Sequence, residues 1–62
     1  MEIILINKAS GVSLRDLPRI DSNLVASLSK NEKAKFLEFD GSKKWVKIVR
    51  GNGAVGWSAY KF

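Results

Sequence analysis

The fold is decided by residues 44–57, which read Lys44-Trp45-Val46-Lys47-Ile48-Val49-Arg50, Gly51-Asn52-Gly53, Ala54-Val55-Gly56-Trp57. The alternation of side chains predicts a strand, a tight turn and a second strand, with one tryptophan in each strand. Val46 and Ile48 fall on one face, whereas Trp45 and Lys47 fall on the other. If Val46 and Ile48 face the core, Trp45 lies on the more solvated side. A large aromatic side chain exposed there is typical of an interaction site. The stretch therefore predicts a small β-barrel with an aromatic surface.

The composition limits the chain to one small domain with no metal chemistry of the common kinds. Its 62 residues include no cysteine and no histidine. A domain of this size buries only about 60% of the surface of its unfolded chain, so modest stability is expected. Disulfides and zinc sites made of thiolates or imidazoles are excluded, and we expect no cofactor and no metal. We treat residues 1–62 as a single domain.

The net charge of +5 is compatible with two interpretations. A surplus of lysine often serves solubility alone. It also attracts polyanions such as nucleic acid, teichoic acid or an anionic membrane surface. Composition does not choose between them.

The apolar start of the chain is predicted to be a strand. Residues 1–6 are too few for a signal peptide or a membrane span, and Glu2 stands where a signal peptide carries positive charge. We therefore expect no membrane insertion. The location would be cytoplasmic if the chain is complete, and cell-surface or secreted if it is excised from a longer protein.

Short segments rich in β-branched and aromatic residues alternate with turn signals along the whole chain, a pattern typical of all-β barrels and sandwiches. We predict strands at about residues 2–8, 12–16, 24–29, 33–40, 44–50 and 53–58, and almost no helix. Glycine and asparagine at 51–53 are expected to supply the positive φ angles of a tight hairpin. The predicted core consists of Val12, Leu14, Val25, Leu28, Ala34, Phe36, Val46 and Ile48.

The order of these signals over residues 12–62 resembles the bacterial SH3-like (SH3b) domain family. The resemblance rests on Val12-Ser13-Leu14-Arg15 with Pro18, Leu28-Ser29-Lys30 before a turn at Asn31, Trp45-Val46-Lys47-Ile48, Gly56-Trp57, and Tyr60 with Phe62. Three departures stand out: a longer segment between Asn31 and Trp45, Ser58 in place of an aliphatic core residue, and an end that is one residue short. The resemblance implies a small SH3-like, partly open β-barrel of five to six strands.

The resemblance also implies recognition rather than catalysis. Exported members of the family commonly bind peptidoglycan through its peptides, and some intracellular members bind other proteins. The residues agree, because there is no histidine or cysteine, no glycine-rich phosphate loop and no nucleophile with a base. We therefore expect a non-catalytic binding module for a peptide-containing ligand, with cell-wall peptidoglycan as the leading candidate. The alternative is an intracellular or phage-encoded protein–protein adaptor.

The candidate ligand-binding residues are Trp45, Trp57, Tyr60 and Lys47. An exposed indole can stack on a peptide or sugar and donate its N–H, although Trp45 could instead pack beneath the first strand. Trp57 faces outward if Gly56 and Ser58 face inward, and otherwise caps the barrel. Tyr60 matches the tyrosine of the family's groove, or simply covers the end of the barrel.

Two further groups have structural or competing interpretations. Arg15 and Asp16 are expected to hold the following loop in place rather than contact a ligand. The basic cluster of Lys43, Lys44, Lys47 and Arg50 beside Trp45 offers a third function, binding of single-stranded nucleic acid. The same cluster could equally be a solvated hairpin face, partly neutralised by nearby acidic residues.

Overall fold

The structure, a computed structural model, describes residues 2–60, and Met1, Lys61 and Phe62 lie outside the described part. Six strands follow one another: β1 (Ile4–Ile6), β2 (Val12–Arg15), β3 (Leu24–Leu28), β4 (Lys33–Phe39), β5 (Trp45–Arg50) and β6 (Val55–Ala59). Residues 2–60 contain no helix. The all-β prediction and all six predicted strands are confirmed. The predicted role of Phe62 in closing the family pattern falls outside the described residues.

The strands form one antiparallel sheet in the order β1-β4-β5-β6-β2-β3. The central part is a meander of β4, β5 and β6, joined by short turns. The sheet then continues to β2 through the pair Arg15–Trp57, which links sequence-distant strands. The two outermost strands, β1 and β3, do not pair with each other, so the barrel is partly open, as predicted.

The core lies on the inner face of the sheet and consists of Leu14, Leu28, Ala34, Val46 and Ile48, all of which were predicted. Val12 and Phe36 pack against it but are only partly buried. The prediction for Val25 is wrong, because 46% of this residue is exposed. Alternation along β3 puts Ala26, the partner of Leu14, on the core side, and the register shifts at the next pair.

The β5–β6 hairpin and the turn before β4 each contain a residue with a positive φ angle. The β5–β6 hairpin is closed by hydrogen bonds from Gly53 N–H to the Arg50 carbonyl (3.0 Å) and from Arg50 N–H to the Ala54 carbonyl (2.8 Å). In this hairpin only Gly53 has a positive φ, of 89°, so the expectation for Gly51 and Asn52 is wrong. A three-residue loop of this kind needs one left-handed residue after an ordinary turn. Asn31, at the turn that the resemblance implied, has a left-handed backbone with φ of 67°.

Candidate functional site

Both tryptophans lie on the outer face of the β5–β6 hairpin. Lys47 is directly opposite Trp57, and Trp45 is directly opposite Ala59. Trp45 and Trp57 are therefore diagonal neighbours on one face, a spacing that large aromatic side chains can bridge. We call Trp45, Lys47 and Trp57 the tryptophan face. All three residues are partly buried, which confirms the prediction that Trp45 is partly exposed to solvent.

Small residues on the inner face of β6 turn Trp57 outward, the first of the two alternatives that the sequence left open. Gly56 is buried, and a Cβ at this position would lie 2.7 Å from Leu14 Cγ and 2.8 Å from the Arg15 carbonyl oxygen. Ser58 is also buried, with 4% exposed, where the resemblance implied an aliphatic residue. Strand alternation leaves the outer side to the residue between them, so the close approach of β2 to β6 fixes the orientation of Trp57.

Lys47 places a positive charge within the tryptophan face. Its Nζ lies 5.8 Å from the centre of the Trp57 ring, within the range of a cation–π interaction. Across the other edge of β5, Lys47 is directly opposite Glu38. The face thus combines two indole surfaces with one ammonium group.

The structure does not bring Tyr60 onto the tryptophan face. Its N–H donates to the Lys44 carbonyl (2.8 Å), which puts the side chain on the inner side of the sheet with the core. The ring meets Phe39 edge-on, with 5.4 Å between centroids, and Phe39 in turn lies 5.1 Å from Phe36. The sequence does not reveal this aromatic cluster, because the cluster depends on the pairing of Phe39 in β4 with Val46 in β5.

An open cavity of about 730 Å³ lies on the inner side of the sheet. Its lining is mainly apolar and includes Leu5, Ile6, Val12 and Ile20. Tyr60 and Trp45 both border the cavity, although strand alternation puts the side chain of Trp45 on the outer face of the sheet. A cavity of this size falls in the range of small-ligand sites.

Asp40 positions the start of β5 and therefore Trp45. Its Oδ1 accepts hydrogen bonds from the Trp45 N–H (3.1 Å) and from the Ser42 hydroxyl (3.0 Å). Burial opposes ionisation of this carboxyl group, but hydrogen bonds from Ser42, Trp45 and Lys44 outweigh it and hold the pKa of Asp40 below its ordinary value. The gap between the predicted strands 33–40 and 44–50 implies a turn here, but the sequence gives no sign that the Asp40 carboxylate holds the strand that carries Trp45.

Arg15 and Asp16 have the structural role that was predicted. Arg15 Nη1 donates to the carbonyl of Ser22 (2.7 Å). The Asp16 carboxylate accepts from the backbone N–H and side-chain amide of Asn23, at 3.0 and 3.2 Å. Together they fasten the end of the β2–β3 loop to its beginning.

The basic cluster does not assemble into one patch. Arg50 forms two hydrogen bonds with the Glu32 carboxylate, at 2.7 and 3.1 Å, with side chains 20% and 19% exposed. These bonds, with one from the Ser29 N–H, lower the pKa of Glu32 below its ordinary value. Lys44 precedes β5 and Arg50 ends it, so their backbones lie roughly 20 Å apart at about 3.3 Å per residue.

Within residues 2–60 there is no cluster of acidic side chains suited to a metal ion. The same part of the chain has no helix able to cross a membrane.

A partly open barrel of six antiparallel strands, with no helix in residues 2–60, has the fold of a small SH3-like domain. The chain matches the bacterial SH3 domain family over residues 10–62, nearly its whole length. It therefore belongs to that family, as the resemblance suggested. No curated protein and no solved structure gives a significant match.

Proposed function

We propose that this domain binds bacterial cell-wall peptidoglycan through its peptide portion, and that the tryptophan face carries the binding. The observation that supports this most is the adjacency of two partly exposed indoles with the Lys47 ammonium group against one of them. Large aromatic side chains are enriched in protein interfaces. A partly exposed pair of tryptophans on the outer face does not fill the core, which favours a role in binding.

The chemistry of the face suits a peptide attached to a sugar polymer. Indole rings stack on sugar rings and on apolar side chains, and their N–H groups donate to peptide carbonyls. The Lys47 ammonium group can pair with a peptide carboxylate while its stem remains against Trp57. Asp40 holds the strand that carries Trp45, so the face is preorganised. Tyr60, on the inner side, contributes by packing against the core and lining the neighbouring cavity.

The split of the basic cluster favours this proposal over nucleic-acid binding. A protein that binds single-stranded nucleic acid needs a continuous positively charged groove beside its aromatic side chains. Here Glu32 engages Arg50 at the far end of β5, and Glu38 is opposite Lys47. A protein partner bound at the same face is the remaining alternative, and the experiment below separates it from the cell wall.

The test is sedimentation of the domain with purified peptidoglycan, beside titration with single-stranded DNA, each at low and high salt. Trp45→Ala and Trp57→Ala probe the tryptophan face. Val25→Ala is the matched control, because it removes an exposed apolar side chain from β3, which lies away from the β5–β6 hairpin in the sheet.

We expect binding to peptidoglycan that either tryptophan substitution abolishes and Val25→Ala leaves intact. Salt should weaken it only slightly, because Lys47 supplies a single ionic contact while stacking and neutral hydrogen bonds are little screened. DNA binding that falls log-linearly with salt, by about −0.7 per phosphate contact, without wall binding would contradict the proposal. Binding to neither would also contradict it and would leave a protein partner. Folding of each variant is checked by circular dichroism.

A further inference from the structure

The first strand presents an apolar edge to solvent. Ile3, Ile4 and Ile6 are 51%, 50% and 45% exposed. β1 is an outermost strand of the sheet and pairs only with β4. Soluble proteins usually protect such edges with charges, proline or bulges, because an apolar edge recruits another strand. None of these devices occurs within β1 itself.

The pairing of β1 with β4 shows which backbone groups point to the open edge. Asn7 N–H donates to the Glu32 carbonyl (2.9 Å), and Phe36 N–H donates to the Ile3 carbonyl (2.7 Å). Residues 3, 5 and 7 therefore direct their polar groups toward β4. In an antiparallel ladder the intervening residues direct theirs the opposite way. The N–H and C=O groups of Ile4 and Ile6 thus face the open edge, which no strand of residues 2–60 occupies.

The sequence around this edge is complementary to itself. When residues 2–8 are laid antiparallel on a second copy about Leu5, Ile4 falls opposite Ile6, and Glu2 falls opposite Lys8. In this register the hydrogen-bonded pairs are those between even-numbered residues. These are the residues whose backbone groups face the open edge, so side-chain and backbone complementarity select the same register.

We propose that two copies of this domain associate through β1, antiparallel about a two-fold axis at Leu5. Ile4 of each copy packs against Ile6 of the other, and Glu2 of each copy pairs with Lys8 of the other. Glu2 already contacts Lys35 of its own chain at 2.9 Å, so its carboxylate would lie between two ammonium groups. A two-fold contact uses the edge of both copies and stops at the dimer.

The proposed dimer would present two tryptophan faces on the same side of a joined sheet. A two-fold axis perpendicular to the sheet keeps the outer faces of both copies on one side. Binding at two points on a polymer raises the effective affinity without any new contact. The dimer does not depend on the ligand, so it can be tested independently of the proposed function. Because the contact is short, we expect a weak dimer that dissociates on dilution.

Sedimentation velocity over a dilution series tests the proposal. The unmodified domain should shift from monomer to dimer as its concentration rises. Glu2→Lys alone and Lys8→Glu alone each place like charges opposite one another and should remain largely monomeric. Mixing these two variants restores opposite charges at both pairs, so the mixture should form a heterodimer.

Two more variants separate edge pairing from other effects. Ile4→Pro removes an N–H that faces the open edge while leaving the hydrogen bonds to β4, and it should abolish the dimer. Val25→Lys, which changes a similarly exposed apolar residue on the other outer strand, should leave the dimer intact. A domain that stays monomeric at all concentrations, open-ended aggregation, or failure of the charge-reversed mixture to associate would each overturn the proposal.

Discussion

The ammonium group of Lys47 lies 5.8 Å from the centre of the Trp57 ring, on the strand directly opposite. The contact holds a charge against an aromatic surface on the outside of the barrel. It gives the tryptophan face both an apolar and an ionic component. Replacing Lys47 therefore removes the ionic component and leaves the apolar component in place.

Replacing Lys47 by methionine should lower stability slightly. Methionine keeps a flexible apolar stem over Trp57 but removes the cation–π attraction, which is worth about 0.5–1 kcal/mol at exposed sites. Urea denaturation followed by tryptophan fluorescence measures the loss. Lys33→Met is the control, since Lys33 is an exposed lysine on β4. Equal effects of the two substitutions would show that the contact with Trp57 contributes nothing.

Gly56→Ala should be strongly destabilising. The added methyl group would lie 2.7 Å from Leu14 Cγ and 2.8 Å from the Arg15 carbonyl oxygen, and the backbone oxygen cannot give way without separating β2 from β6. Overpacking of this kind costs about 1–3 kcal/mol or more. Thermal denaturation gives the size of the effect.

Gly41→Ala provides the matched control for Gly56→Ala. An added Cβ at Gly41 meets no atom within 4 Å, and Gly41 does not have a positive φ. A compatible glycine-to-alanine change is neutral or stabilises by about 0.4–1 kcal/mol, through the unfolded chain. If both variants unfold at the same temperature, the close approach of β2 and β6 is not required for stability.

The Arg50–Glu32 ion pair should make stability depend on pH in the acid range. Hydrogen bonds from Arg50 and from the Ser29 N–H lower the pKa of Glu32 in the folded state. A lowered pKa stabilises the fold above the unfolded-state pKa, and this contribution disappears as pH falls from about 4.3 through the folded-state pKa. Glu32→Gln should therefore melt below the unmodified domain at pH 7, and the difference should shrink as the pH falls. A difference that is constant with pH would contradict this assignment.

Most of the fold follows from local alternation and turn chemistry, and so does the central part of the candidate site. Period-2 alternation around Val46 and Ile48 places Trp45 and Lys47 together, and buried Gly56 and Ser58 do the same for Trp57. The relation between Trp45 and Lys47 depends only on neighbours in sequence, which is why it could be predicted, whereas the sequence left the orientation of Trp57 open between two alternatives.

Relationships that depend on register across the sheet could not be predicted. The Tyr60–Phe39 contact requires the pairing of β4, β5 and β6, and the Arg50–Glu32 pair joins residues 18 positions apart. The pairing of β2 with β3 is another example. Its register shifts after Leu14, and alternation leaves Ala26 on the inner face and Val25 on the outer face. Periodicity within one strand does not encode its partner's register.

The most direct test of the tryptophan face uses the indole N–H signals in a two-dimensional nitrogen–proton NMR spectrum. The chain has two tryptophans, so two such signals are expected, and Trp45→Phe and Trp57→Phe assign them. Soluble peptidoglycan fragments are titrated into the unmodified domain. If the tryptophan face binds these fragments, both indole signals shift in a saturable manner with one common dissociation constant. Saturable shifts elsewhere in the spectrum, with both indole signals unchanged, would contradict binding at the tryptophan face.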